Sequence, residues 1–177
     1  MNTQITLFDE KPTFKKSSSK SRLTKQPLKT QLLKWIGNKQ RFAEEIISFF
    51  PETFNTFYEP FMGSGAVIAT LAPVEGFGSD GFKSLAGIWE QLGKNPNTLI
   101  KWYKERWNFH QSGDPKEQYE KIKAKYNKRP NSADLLFLSR SCYGGVVRFR
   151  QADGYMSTPV GPHKPITPES FEKRVSL

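Results

Sequence analysis

A chain of 177 residues is long enough to bury one core, and with 36% apolar and 14% aromatic residues its composition excludes a wholly disordered polymer. No apolar run approaches the roughly 20 residues that cross a bilayer, the N-terminus is polar where a secretory leader is apolar, and the single cysteine, Cys142, excludes an internal disulfide; together these predict a cytoplasmic protein. The net charge of +10 is uneven, +5 over residues 1–30, −2 over 31–100, +5 over 101–130 and +2 over 131–177, which suits a small-ligand pocket flanked by polyanion-binding surface.

Residues 1–30 read as a disordered basic tail, with a Lys/Ser-rich stretch that lacks apolar periodicity. Within it, Gln4-Ile5-Thr6-Leu7-Phe8 resembles the short peptide by which bacterial replication and repair proteins bind the sliding clamp; a chance apolar cluster is the alternative. After the Gly37-Asn38 turn, Phe42, Ile46, Phe49 and Phe50 recur at helical spacing until Pro51 ends the helix. "TFYEPF" (56–61) reads as a short buried strand, "AVIATL" (66–71) as the start of a helix ending near Pro73, and "GFGSD" (76–80) as a second strand ending in an acid. Helices are predicted over 85–93, with Gly93 as the stop, over 96–110, over 117–128 and from Ser132, its predicted cap, to the Gly144-Gly145 pair. "VVRFRQADGYMSTPVG" (146–161) reads as a hairpin turning at Ala152-Asp153-Gly154. Thr167 is placed to cap a final helix.

Strand, glycine loop and helix in that order form the first half-turn of a nucleotide-binding α/β sheet. Gly63 and Gly65 allow the backbone to approach a ligand, while loop amides and the helix N-terminus offer donors. The dinucleotide pattern lacks its third glycine and no Gly-Lys-Ser/Thr follows. Glu59 before the loop would repel a pyrophosphate but suits a cation, and S-adenosylmethionine carries an ammonium and a sulfonium. Asp80, at the end of the second strand, is placed to take ribose hydroxyls. The competing reading is a glycine-rich turn with no ligand. His110 and His163 lack partners at metal-ligand spacing, and Cys142 lacks a neighbour that would activate it.

The blocks "LLKWIGNKQRF", "FYEPFMGSGAV", "GSD" and "GGVVRFRQADGYMSTPVG", in that order, resemble the alpha group of adenine-specific DNA methyltransferases, the group containing the Dam methylases, over roughly residues 32–174. The resemblance implies a partial Rossmann-like S-adenosylmethionine-dependent methyltransferase sheet with an inserted, mainly helical target-recognition domain ending in a β-hairpin. It implies a tail (1–30), an N-terminal part of the cofactor-binding domain (31–95), a DNA target-recognition region (96–165) and a return to the catalytic domain (166–177). Trp35 and Lys39 would line the cofactor pocket, Glu59, Pro60, Phe61, Gly63 and Gly65 would form its loop, and Asp80 would hold the ribose. Asp80 is followed by Gly81-Phe82 where many relatives have Ile-Asn. On the DNA side, alternation should put Arg148 and Arg150 on one face, reaching guanine or phosphate, with Val147 and Phe149 beneath. Tyr143 is a candidate for stacking or phosphate contact. A solvated strand face for the arginines and a buried core position for Tyr143 are the alternatives.

The family holds its flipped adenine with Asp/Asn/Ser-Pro-Pro-Tyr/Phe, and no such motif occurs in the 177 residues. "GDPK" (113–116) has one proline and lies among basic helices. No catalytic residue is therefore assigned. The sequence predicts an N-terminal fragment or split half, with double-stranded DNA and a complementary chain carrying the motif as partners. A catalytically inactive DNA-binding module of the same fold, an enzyme acting on RNA and a ligand-free interaction protein are the rival readings.

Overall fold

The computed structural model describes residues 31–176, so the basic tail and its Gln4–Phe8 peptide lie outside the described residues. In chain order the elements are α1 (Ala43–Ser48), β1 (Phe57–Glu59), α2 (Ala66–Leu71), β2 (Gly76–Gly78), α3 (Lys83–Lys94), α4 (Pro96–Gln111), α5 (Pro115–Lys128), α6 (Ser132–Ser141) and α7 (Pro168–Val175), with a 3-10 turn at Tyr143–Gly145. The fold is helix-rich α/β, and its sheet has two parallel strands.

β1 and β2 pair in the register Phe57↔Gly76, Tyr58↔Phe77 and Glu59↔Gly78, with α2 as the crossover that parallel strands require. The period of two along β1 decides which side chains are covered. Phe57 faces Phe50 and Phe54, beside a small apolar cluster of Ile47, Val67 and Leu71. Tyr58 points the other way and stacks on Phe77 at 5.4 Å, and both stay largely exposed, at 67% and 52%. β1 is therefore half-covered rather than the fully buried strand expected from its composition. α2 ends at Ala72, whose φ of +44° is left-handed and is followed by Pro73.

The main core lies among the helices. Leu135, Leu136, Phe137 and Leu138 are all fully buried, so α6 is the central helix, packed by α3, α4 and α5. Tyr103 of α4 stacks on Phe171 of α7 at 4.2 Å and donates its hydroxyl to the carbonyl of Ile166, which fastens the C-terminal helix to the bundle. Burial pushes the Tyr103 hydroxyl up to about 12. Helix starts follow capping chemistry. Asp114 accepts from Glu117 N with Pro115 next to it, and Thr167 accepts from Ser170 N with Pro168 next to it. "GDPK" is thus the N-terminus of α5.

Several boundaries differ from the sequence reading. Asn131, not Ser132, caps α6, because its side chain reaches the amide of Asp134 at 2.8 Å. Gly93 lies inside α3, which runs on to Lys94, with Asn95 its C-cap before Pro96 starts the next helix. α1 buries Ala43 and Ile47 while Phe42 and Phe49 are exposed. The 146–161 segment, an arm, doubles back as expected, but with one internal antiparallel bridge, Phe149↔Met156, and one from Val160 to Cys142, instead of a strand ladder. Among the described residues, no helix is long and apolar enough to cross a membrane.

Candidate functional site

The loop after β1 is built by two left-handed glycines and two acids. Gly63 (φ +51°) and Gly65 (φ +66°) take a conformation that side-chain-bearing residues rarely adopt. Gly65 N donates to Met62 O at 2.7 Å, closing the turn, and a side chain at Gly65 would also run into the ring of Trp89. Glu59 leaves β1 and accepts from the amide of Ile68, in the first turn of α2, at 2.9 Å. It thereby satisfies one orphan donor of that helix across nine residues. Asp80 closes the loop from the other side, accepting from Gly63 N at 3.0 Å and from Phe82 N at 2.9 Å.

Lys39, Glu59, Gly63 and Ser64 line one small hollow together with Gly37 and Met62, about 200 Å³ including its open mouth. Partial burial pushes the Glu59 carboxyl above its usual range, against the opposing pull of the Ile68 amide and the Lys39 charge. Trp35 stands beside Gly63, where an added Cβ would lie 3.7 Å from its ring, and stacks on Phe82 at 5.8 Å and 26°. Of the expected site residues, Trp35, Pro60, Phe61, Gly65 and Asp80 do not line the hollow, and Pro60 and Phe61 are exposed, Phe61 at 83%. Trp89 is a site residue that the sequence reading missed: its indole N–H donates to Gly63 O at 2.9 Å from α3. Helical periodicity put Trp89 on α3 but carried no signal for a bond reaching back to the loop.

Of the candidate DNA-contact residues, Arg148 and Arg150 lie on the arm and Tyr143 on the 3-10 turn before it. Val147 is buried, Phe149 is half-buried, and Arg148 and Arg150 are exposed, as alternation predicts. The two arginines differ in their partners. Arg150 grips Asp153 with two nitrogens, at 3.1 and 2.6 Å, and lies over the Tyr155 ring at 4.3 Å. Arg148 has no side-chain partner among the described residues, and its amide donates to Thr158 Oγ1 at 2.9 Å. The arm is anchored to α5 by Asn127, which exchanges both amide hydrogen bonds with Met156, and by Tyr119, whose hydroxyl donates to Thr158 O. Tyr143 is 61% exposed on its 3-10 turn. Cys142 is buried, and burial pushes its thiol up to about 11, away from nucleophilic use.

A larger groove, about 650 Å³ with its open mouth, lies between α4 and α5 and is lined by Phe109, Ile122, Lys121 and Lys125 with the Arg106–Asp134 pair. It shares no lining residue with the loop hollow.

A family model for D12 class N6 adenine-specific DNA methyltransferases matches residues 35–165, which include the loop, Asp80 and the arm. The chain is similar to the type II methyltransferase M1.LlaDCHI of Lactococcus lactis subsp. cremoris, 28% identical over 139 residues, 74% of this chain and 47% of the relative. It is 28% identical to the DNA adenine methylase of Haemophilus influenzae over 153 residues, 85% of this chain and 52% of the relative. The DNA N-6-adenine-methyltransferase of Escherichia phage P1 is 29% identical over 138 residues, 75% of this chain and 18% of the relative. The chain therefore spans about half the length of two of these relatives, and less than a fifth of the third.

Proposed function

This chain belongs to the D12 class N6 adenine-specific DNA methyltransferase family, and from that premise we propose that it binds S-adenosylmethionine in the loop between β1 and α2 and contacts duplex DNA through the helices of residues 101–128 and through the arm. The observation that carries the reading is the pair of carboxylates held on one loop. Glu59 is fixed by Ile68 N through one oxygen, and its second oxygen has no hydrogen-bond partner among the described residues. A half-buried acid with a spare acceptor suits a cationic ligand and disfavours a phosphate. Asp80 stands at the other end of the same loop and would take the ribose hydroxyls, Lys39 lines the hollow, and Trp35, beside Gly63, would pack on the ligand. The bound cofactor supplies an electrophilic methyl group on a sulfonium. The residues of this chain bind and orient it, which is the larger part of what a direct methyl transfer asks of a protein.

The 31–95 segment carries the cofactor half in this reading and 96–165 the target-recognition region. The acceptor adenine would be flipped out of the duplex, and the groups that hold it would come from polypeptide carrying a Pro-Pro-Tyr/Phe motif, in the same or a complementary chain. Gln4–Phe8 would offer a clamp-binding peptide. The reaction would take place in the cytoplasm, on the nucleoid or on phage DNA.

The test is ultraviolet crosslinking of labelled S-adenosylmethionine to the purified chain, with methyl transfer to mixed-sequence duplex DNA and to RNA measured in parallel. Crosslinking that Glu59→Gln weakens is the expected result. No crosslinking at all would sink the cofactor reading and leave the glycine loop a structural turn. Transfer to duplex adenine by the chain alone would overturn the need for an outside motif.

A further inference from the structure

Phe82 stands where the loop and the arm meet. Its amide donates to Asp80 Oδ1, and the other oxygen of that carboxylate accepts from Gly63 N. Its ring stacks on Trp35 and also meets the ring of Phe149 edge-on, at 5.1 Å and 61°. Phe149 lies between Arg148 and Arg150 in sequence and also packs against Tyr126 of α5 at 6.3 Å. An unbroken run of contacts thus leads from the glycine loop to the two arginines, and Phe82 is where it passes from one to the other.

Resting on the functional reading above, we propose that Phe82 is a positioning residue that couples the cofactor loop to the DNA-contacting arm. The coupling has a physical source. A ligand hydroxyl that donates to Asp80 must share or displace the amides of Gly63 and Phe82, which hold both carboxylate oxygens. Phe82 is also the N-cap of α3, so a change at its amide is a change in the setting of its ring. That ring touches both Trp35 and Phe149, so a shift in it disturbs both. A ligand at Asp80 therefore favours one placement of Phe149, and DNA held by Arg148 favours one placement of Phe82. Linkage makes the effect reciprocal: duplex DNA tightens cofactor binding by the same factor by which cofactor tightens DNA binding.

The experiment is calorimetric titration of S-adenosylmethionine into the 177-residue chain with and without a saturating mixed-sequence duplex. In the parent chain the duplex should lower the cofactor Kd by about fivefold or more, the lower end of measured couplings. Phe82→Leu should bring the ratio close to one, and Phe82→Tyr should restore it. Phe149→Leu cuts the same contact from the arm side and should also bring the ratio close to one, which covers the case in which Phe82→Leu unfolds. A residue that only fills space would lower the melting temperature and leave the ratio alone. A parent ratio of one, or an unchanged ratio in the leucine variants, overturns the coupling and leaves the functional reading standing. Failure of the parent chain to bind either S-adenosylmethionine or duplex overturns both.

Discussion

The carboxylate of Asp80 and the amide of Gly63 are joined at 3.0 Å across seventeen residues, so the acid proposed to hold a ribose is also a brace for the glycine loop. Its second oxygen caps Phe82 at the start of α3. From the sequence, Asp80→Ala is expected to weaken the cofactor and leave the fold intact; the geometry adds a stability cost. Two partly buried N–H groups lose their acceptor, at about 1–3 kcal/mol for each donor left unsatisfied. Asp80→Asn keeps one acceptor oxygen and should be destabilised less than Asp80→Ala, with cofactor affinity reduced in both. Urea midpoints alongside cofactor titration separate the two effects. An Asp80→Ala variant of unchanged urea midpoint would refute the bracing role.

Glu59 gives a pH signature. Burial raises its folded-state pKa above the ordinary 4.5, which means the folded chain holds the proton more tightly than the unfolded one. Its contribution therefore declines as pH rises from about 4.5 through the folded value, and the carboxylate is a burden at neutral pH. Glu59→Gln removes the titration and keeps an acceptor for Ile68 N. Stability of the variant relative to the parent should rise with pH across that window, by denaturant unfolding at a series of pH values. Its affinity for S-adenosylmethionine should fall about tenfold to a hundredfold, the range for a hydrogen bond to a charged group. A parallel pH dependence for the two proteins would place the Glu59 carboxyl in water.

Much of this arrangement was legible in the chain. The order of strand, glycine loop, helix, strand and acid follows from residue chemistry that acts within a few positions, and β1, α2, β2 and Asp80 fall in that order. A proline at the first helical position likewise marks α4, α5 and α7, and the polar caps Asp114 and Thr167 mark the last two. What was not legible depends on groups far apart in sequence or on choices between near neighbours. Trp89 reaches Gly63 across 26 residues, and no local pattern encodes that bond. Asn131 and Ser132 are both good caps, and only the bond to Asp134 N decides between them. The aromatic spacing of α1 misleads because the helix is only six residues long and Phe42 and Phe49 flank it. The arm alternates like a strand, yet Asn127 and Thr158 side chains take up backbone groups that a neighbouring strand would otherwise bind.

Arg148 and Arg150 are equivalent by spacing and different by surroundings. Arg150 already shares two hydrogen bonds with Asp153, so its charge is largely spoken for, while Arg148 has no such partner among the described residues. Arg148→Ala should therefore weaken duplex binding more than Arg150→Ala. If Arg148 meets a phosphate, the slope of log affinity against log salt should flatten by about 0.9. If it meets a base edge, the slope should hold and affinity should drop by about 1–3 kcal/mol on the preferred sequence alone. Fluorescence anisotropy at several salt concentrations distinguishes these outcomes, and equal losses in the two variants would mean that the Asp153 pair opens on DNA.

The Arg106–Asp134 pair ties α4 to α6 and is the ion pair whose loss should matter most. Asp134 is 1% exposed and accepts from Arg106 Nε at 2.7 Å and from Asn131 Nδ2 at 2.8 Å, while Asn131 in turn caps the helix whose first turn holds Asp134. Asp134→Ala leaves the guanidinium of Arg106 largely buried with its inner partner gone, retaining only the bonds to Trp102 O and Glu105. Removing one member of a buried pair typically costs about 3–5 kcal/mol, a large share of the stability of a domain this size. The Glu90–Lys94 pair on α3 is as short, at 2.6 Å, but both side chains are mostly in water, and exposed pairs contribute little. Urea unfolding of Asp134→Ala and Glu90→Ala side by side should show a large drop in midpoint for the first and no measurable change for the second. Asp134→Ala paired with Arg106→Met should recover part of the loss, since no unpaired charge is then left between α4 and α6.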